Sequence, residues 1–491
     1  MARQRTTVTR TGGPGPVPAE PERAAGEPAR PSEHNRYVDF LRVLSITLVV
    51  IGHWLVTSPV YRQHGFEAPD VLAIIHWGGW VTLAFQVMPV FFLVGGYAAA
   101  VSWQRQLAAG HADARAWLTS RAVRLLIPTA AYAAIALVGA AIAIALGAPE
   151  PTLALAGWAI ALQLWFLPVF IALTALTPLL HAAHRRWGLL VPATSILLGI
   201  GVDFVVVYDH VTLLGWLNYL LVWGAVYQAG FSWQDGTLTH ATAAGRRILA
   251  GMAVCGTLLF LGLVLFGPFP ASLIGVAGEV VNNTAPPSAA LAAYATAQTA
   301  LLIAIAPYVS RWLRRPRPWR VVERANKVVM TVYLWHMVPV IITGLALYVT
   351  GIMPQPGVGG TEWWELRAPW LAANILVLCG LMLLLQPLVR ALERSRRRPQ
   401  GGASASAPTP VTATATAAAA TGSADGRLGE ALATTLLWLG IVFAGYALYR
   451  FAVFGFAPSG EFPTIAVACY AAGLALVLAS RLVPTRTARV S

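Results

Sequence analysis

The chain has 491 residues, of which 57% are hydrophobic and only 11% are charged, and its formal net charge is +14. Soluble globular proteins carry about 25% charged residues, so this composition excludes an ordinary soluble enzyme. The basic residues form short clusters between apolar runs, which is typical of membrane topology signals and argues against nucleic-acid binding. The three cysteines lie in apolar segments and show neither disulfide nor metal-ligand spacing, so no metal site is predicted.

Twelve apolar runs are long enough to be transmembrane helices. They are predicted at residues 37–57, 79–103, 122–147, 155–180, 187–208, 211–230, 247–267, 289–310, 328–350, 369–392, 430–452 and 462–483. Clusters of Lys and Arg occupy alternate loops, which predicts that both termini are cytoplasmic. The predicted fold class is therefore an all-α polytopic membrane protein in a lipid bilayer.

The segments between these runs divide the chain into four parts. Residues 1–35, rich in Pro, Gly, Arg and Glu, are predicted to be a disordered cytoplasmic tail. Residues 36–392 form a ten-helix body, 393–427 a flexible cytoplasmic linker, and 428–491 a two-helix membrane appendage with a short tail. The Ala- and Arg-rich composition with few lysines suggests a bacterium with a GC-rich genome, and hence a bacterial plasma membrane.

The first apolar run carries three ionisable residues on one helical face. Asp39 lies one turn before Arg42, and His53 lies about three turns after it, so all three project from nearly the same side. An ionisable group inside a bilayer is costly unless it pairs or lines a polar cavity. This stripe is therefore the first candidate site, with His53 about 16 Å further from the predicted cytoplasmic side than Arg42.

Two pairs of residues stand out in the next spans. Arg121 and Arg124 lie three residues apart where the third span is predicted to begin, so they can act together on one anion near the positive end of that helix. An ordinary positive-inside cluster is the competing interpretation. Gly95 and Gly96, in the middle of the second span, allow either close helix packing or a backbone break at a ligand, and packing is the simpler explanation.

Two further spans contain polar aromatic groups. Trp165 lies in the middle of the fourth span, where Pro168 frees a backbone carbonyl and favours a kink. Tyr333 and His336 fall about two turns into the ninth span. A lone intramembrane histidine is often a packed core residue, so His336 indicates function only in combination with other residues.

These segments together resemble the membrane-bound acyltransferase family three. Its opening signature is an Asp-x-x-Arg context followed by ten residues and a histidine, as at Asp39, Arg42 and His53. Its Phe-Phe-x-x-Ser-Gly, Arg-x-x-Arg, Trp-Phe-Leu and Tyr-Leu-Trp-His elements resemble the segments 91–96, 121–124, 165–167 and 333–336. The resemblance covers residues 36–392. Gly95 departs from it by standing where the family has serine, and two helices stand where some members add a soluble hydrolase-like domain.

The resemblance implies an enzyme that moves an acyl group, expected to be acetyl, from cytoplasmic acyl-CoA to a hydroxyl of a glycan, glycolipid or glycoside. His53 would be the general base or the covalent acyl acceptor, since a neutral imidazole suits either task. Arg42 would hold Asp39 or meet the pantetheine or phosphate region of the donor. Arg121 and Arg124 would clamp the donor phosphates, and Tyr333, His336 and Trp165 are assigned to the donor site.

Two other interpretations of these residues compete with the enzyme. A transporter or flippase could use the buried Arg, Asp and His for substrate or proton binding, although no internal repeat is apparent. An inactive membrane scaffold would leave the costly charged stripe unexplained. The acceptor, the acyl chain length and the oligomeric state stay open.

Overall fold

The structure, a computed structural model, describes residues 35–63, 65–110, 113–397 and 418–483. Its α-helices are α1 (Arg36–Val56), α2 (Val71–Ile74), α3 (Gly78–Phe85), α4 (Met88–Ala108), α5 (Ala114–Ala145), α6 (Glu150–Ala161), α7 (Phe166–Trp187), α8 (Leu190–Tyr208), α9 (Leu217–Gln234), α10 (Ala243–Phe266), α11 (Ala289–Leu313), α12 (Pro316–Trp335), α13 (Val338–Gly344), α14 (Thr361–Glu365), α15 (Arg367–Arg397), α16 (Ala418–Phe454) and α17 (Thr464–Ala479). Strands β1 (Val60–Arg62) and β2 (Gly65–Glu67) pair as an antiparallel hairpin. Short 3₁₀ or π segments cover Leu162–Trp165, Thr212–Trp216, Leu345–Val349 and Pro458–Gly460.

The helices confirm the prediction of an all-α polytopic membrane protein. Within the described ranges, nine helical segments are long and apolar enough to cross a membrane, and the pair α12 and α13, bent by 59°, would make a tenth. Each predicted span contains a helix, although α9 and α17 do not meet the same criteria. Most of α9 is buried, so its polar residues face other helices rather than lipid, and α17 has only 16 residues.

The glycine pair in α4 allows two helices to cross at backbone contact. A side chain at Gly96 would overlap the backbone carbonyl of Tyr227 on α9, and one at Gly230 would overlap the backbone of α4. At Gly95, the ring of Phe170 fills the space that a side chain would need. Close packing, the simpler of the two explanations for these glycines, is therefore confirmed, and it accounts for the absence of serine at Gly95.

Two apolar spans are broken where they face each other. The 3₁₀ segment Leu162–Trp165 separates α6 from α7, and Pro168 lies in the first turn of α7. Pro339, in the first turn of α13, removes a backbone donor and accompanies the bend after α12. Irregular backbone at membrane depth is tolerated where protein buries it. The backbone groups at each break therefore need hydrogen-bond partners from neighbouring segments. The two breaks supply some of these partners to each other.

The two C-terminal helices pack against the rest of the bundle. α16 contacts α5, α6, α7 and the 3₁₀ segment Leu162–Trp165, while α17 contacts α16 and α5. The backbone N–H of Phe456 donates to the carbonyl of Gly157 at 3.2 Å, and Tyr470 donates to the carbonyl of Leu126 at 2.8 Å. The ends of the predicted linker are helical, since α15 runs to Arg397 and α16 begins at Ala418. The rest of that linker, and all but the last residue of the predicted N-terminal tail, lie outside the described residues.

The hairpin after α1 joins segments that the charge pattern places on one side of the membrane. The Tyr61 N–H donates to the Gln355 side chain at 2.6 Å, and the Phe66 N–H donates to Thr152 Oγ1 at 3.0 Å. These residues come from three different predicted outer loops. These contacts show that the three loops lie at the same end of the bundle. Which side of the membrane this end faces stays a prediction.

Candidate active site

The polar stripe of α1 lies against a second polar stripe on α12. Arg42 Nη1 donates to Asn326 Oδ1 at 3.3 Å, and His53 Nδ1 lies 2.8 Å from His336 Nε2. Residue numbers rise together in these two pairs, so α1 and α12 run parallel along this contact. The structure therefore places Arg42 and His53 on the same face of α1, with a partner on α12 for Arg42 and a partner directly after α12 for His53.

Hydrogen bonds fix the tautomers of the two histidines. His336 is fully buried, and its Nδ1 lies 2.7 Å from the carbonyl oxygen of Tyr333, which can only accept. In a neutral His336 the proton is therefore on Nδ1, and Nε2 is an acceptor. His53 must then donate from Nδ1 to His336 Nε2, which leaves the lone pair of His53 on Nε2. His53 is only partly buried, and this nitrogen has no hydrogen-bond partner among the described residues.

The backbone around the histidines is held by two indole groups. Trp54 Nε1 donates to the carbonyl of His336 at 2.7 Å, and Trp370 Nε1 donates to the carbonyl of Trp54 at 3.0 Å. The bend after α12 exposes the His336 carbonyl to this side-chain donor. The position of the imidazole of His336 is thus set by contacts on both its ring and its backbone.

Asp39 and Arg42 form an ion pair at the other end of the stripe. Arg42 Nη1 lies 3.0 Å from Asp39 Oδ1, with the carboxylate 5% exposed and the guanidinium side chain 32% exposed. One side of the guanidinium is therefore engaged with Asp39 and Asn326, and part of it is accessible. A partly accessible arginine held by a buried carboxylate is suited to binding an anionic or carbonyl group of a ligand.

The two helix breaks are joined beside the histidines. Tyr333 donates from its hydroxyl to the carbonyl of Gln163 at 2.6 Å, and Gln163 Nε2 donates to the carbonyl of Leu334 at 3.0 Å. Gln163 Nε2 also lies 3.0 Å from the hydroxyl of Tyr132 on α5. Trp165, at the end of the same 3₁₀ segment, is half-buried and lies with its ring centre 6.3 Å from that of Tyr219. Tyr333 and Gln163 thus connect the Trp165 segment to His336.

The arginine pair lies on α5. Arg121 is half-buried with its guanidinium 5.2 Å from the centre of the Trp117 ring, and Arg124 is exposed. The side-chain hydrogen bonds of Arg42 and His53 within the described residues go to α1 and α12 instead. The expectation that the pair lies near a helix N-terminus is wrong. α5 begins at Ala114, where Asp113 caps it, and the helix dipole acts only within the first turn.

Residues 35–390 match the model of a protein family that is described as an acyltransferase domain. The matched region covers well over half of the chain and includes every site residue named above. The chain belongs to acyltransferase family three. No curated protein and no solved structure matches it. The protein is thus an acyltransferase, which favours the enzyme over the transporter and scaffold interpretations, and α16 and α17 lie beyond its family domain.

Three polar partners in this acyltransferase were not predicted from its sequence. They are Asn326, Gln163 and Tyr132, each of which binds a predicted site residue or the helix break beside it. A side-chain amide inside or next to an apolar run is a detectable signal, because it must find a partner there. The identity of that partner follows only from the packing of distant helices.

Proposed function

We propose that the protein is an O-acyltransferase that moves an acyl group, acetyl in the simplest case, from cytoplasmic acyl-CoA to a hydroxyl of a sugar, glycolipid or glycosylated small molecule. The observation that carries this proposal is that the His53 Nε2 lone pair has no hydrogen-bond partner among the described residues. A nitrogen that is oriented, unprotonated and partly accessible is what a general base for a hydroxyl requires.

In the proposed reaction, His53 Nε2 takes the proton of the acceptor hydroxyl as its oxygen attacks the thioester carbonyl. The new C–O ester bond forms, the C–S bond breaks, and the proton passes from His53 to the departing thiolate to give free CoA. His336 accepts the Nδ1–H of His53 throughout, so it stabilises the imidazolium and keeps the ring oriented. His336, assigned from sequence to the donor site, is on this proposal a positioning residue, since both of its ring nitrogens are engaged.

The same lone pair also permits a covalent route. His53 Nε2 would attack the thioester, release CoA and hand the acyl group to the acceptor in a second step. A brief incubation with labelled acetyl-CoA without acceptor separates the two routes, because only the covalent route leaves label on the wild-type protein.

We propose that the donor binds on the side of Arg42. Arg121 and Arg124 would hold the phosphates of CoA through charge-assisted hydrogen bonds. The accessible part of the Arg42 guanidinium, with Asp39 fixing its other side, would meet the thioester arm. Trp165 and Tyr333 would shape the wall along which this arm reaches His53. The Tyr333 hydroxyl already donates to Gln163, so its ring rather than its hydroxyl would face the donor.

The test uses purified protein, labelled acetyl-CoA and isolated cell membranes as the source of acceptor. Wild-type protein should transfer label to the glycan and glycolipid fraction and release CoA, and His53→Ala should do neither. Ile51→Ala is the matched control, because it changes an exposed residue of the same helix and should transfer at the wild-type rate. Transfer by folded His53→Ala at the wild-type rate would refute the role of this histidine.

A further inference from the structure

A cavity of about 370 Å³ opens beyond the end of α1, between the α2–α3 turn and the loop before α14. Its walls include Trp77 and Trp364, which are 60% and 42% exposed. Their rings are stacked, with centres 5.9 Å apart and planes inclined by 23°. Ligand pockets have volumes of about 300–1,000 Å³, so this cavity is large enough for a small ligand.

Position in a lipid-facing belt does not account for this pair of tryptophans. Interfacial belts place Trp and Tyr at the level of the lipid headgroups. They do not require two indoles to stack, as Trp77 before α3 and Trp364 in the five-residue α14 do. The two come from distant parts of the chain and meet at a cavity that Ile75 and Gly359 also line. Gly359 has a φ of +88°, which lets the loop pass close to Ile75.

The segment that forms one side of the cavity is hydrogen-bonded to the end of the helix that carries His53. Trp363, beside Trp364, donates from Nε1 to Ser58 Oγ at 3.0 Å. Buried Arg367 donates to the carbonyl of Thr57 at 3.2 Å, and its guanidinium lies 4.3 Å from the centre of the Trp363 ring. Thr57 and Ser58 follow α1 directly, about one turn beyond His53. Hydrogen bonds thus link the segment that carries Trp364 to the end of the helix that carries the proposed base.

We propose that this cavity is a carbohydrate subsite that holds a pyranose unit of the acceptor. A pyranose ring has an apolar C–H face and a polar rim, so it needs an aromatic wall together with a few polar groups. Trp77 and Trp364 provide the wall, and the exposed imidazole of His76, with the backbone of the Gly359 loop, provides hydrogen-bonding groups at the rim. The assignment rests on the proposed function, because it gives that reaction a sugar-bearing acceptor.

The direct test measures binding of methyl pyranosides of glucose, galactose, mannose and N-acetylglucosamine by saturation-transfer NMR. At least one of them should bind wild-type protein and His53→Ala equally, since His53 does not line the cavity. Trp364→Ala and Trp77→Ala should weaken this binding by about three- to tenfold, as expected for the loss of one aromatic contact, and Trp364→Phe should restore most of it. Binding of none of the four sugars to wild-type protein would overturn the subsite.

The matched control is Trp216→Ala. Trp216 is 52% exposed and stacked on Tyr219, but it does not line the cavity. It should leave sugar binding unchanged. In the transfer assay, Trp364→Ala should raise KM for the membrane acceptor without changing KM for acetyl-CoA. Equal sugar binding by Trp364→Ala and Trp216→Ala would overturn the proposal, even if transfer itself occurs. Sugar binding without any transfer would instead count against the proposed reaction alone.

Discussion

Replacing His336 by Asn should slow acyl transfer much more than replacing it by Gln. The Gln side chain can place an amide oxygen near the position of the imidazole Nε2 and still accept the proton of His53 Nδ1. Asn can instead mimic Nδ1 and keep the hydrogen bond to the carbonyl of Tyr333, but it leaves His53 without an acceptor. Each variant therefore loses one of the two ring hydrogen bonds of His336, and only Asn loses the bond that fixes the tautomer of His53.

The size of the difference in kcat follows from the cost of leaving the Nδ1–H of His53 without an acceptor. In the Asn variant, the reactive tautomer of His53 must leave its Nδ1–H without a partner, which costs about 1–3 kcal/mol. A change of 1.36 kcal/mol in the barrier alters the rate tenfold, so kcat should fall by about 5- to 150-fold relative to the Gln variant.

The assay is the initial rate of acetyl transfer in detergent, with the Tm of each variant measured in parallel. The two variants should have similar Tm values, since each loses one hydrogen bond. Equal kcat values for Asn and Gln at similar Tm would refute the claim that His336 acts by fixing the tautomer of His53. A higher kcat for the Asn variant than for the Gln variant would refute this claim as well.

Three further outcomes follow from contacts elsewhere in the bundle. Changing Arg121 and Arg124 to Glu should raise the Kd for acetyl-CoA about tenfold or more in a titration, because each hydrogen bond to a charged group contributes about 1.5–3 kcal/mol. An unchanged Kd would mean that the two arginines serve only as topology signals. Phe456→Ala should destabilise the protein by about 3–5 kcal/mol and lower its Tm, since this ring is fully buried beside Tyr132. Gly96→Ala should abolish the monodisperse peak in gel filtration, whereas Gly139→Ala should keep it, because no atom of the described residues outside its own stretch of helix lies within 4 Å of the added Cβ.

The features that could be predicted from sequence are those that depend on the period of a single helix. The common face of Arg42 and His53 follows from their spacing along α1, and the structure shows both against α12. The close approach at Gly96 follows from the lack of a side chain. Neither prediction needs knowledge of where other helices lie. For that reason the fold class and the polar stripe of α1 could be predicted from the sequence.

The features that could not be predicted depend on pairs of distant helices. His53 and His336 are 283 residues apart, and no local pattern in either segment indicates that they pair. The start of α5 was misplaced for a different reason, because the span was located by its apolar residues. Asp113, a preferred N-cap residue, lies before the apolar run and marks the true start.

The packing of α16 on the 3₁₀ segment Leu162–Trp165 has a consequence for biosynthesis. Helices enter the membrane in the order in which the ribosome makes them, and α16 follows the helix break it covers by more than 250 residues. Until translation is almost complete, that break and Tyr132 lack the cover that Phe456 supplies. On the proposed function, the nascent chain therefore carries its histidine pair before Phe456 covers Tyr132, and we expect full activity only after the last two helices have joined the bundle.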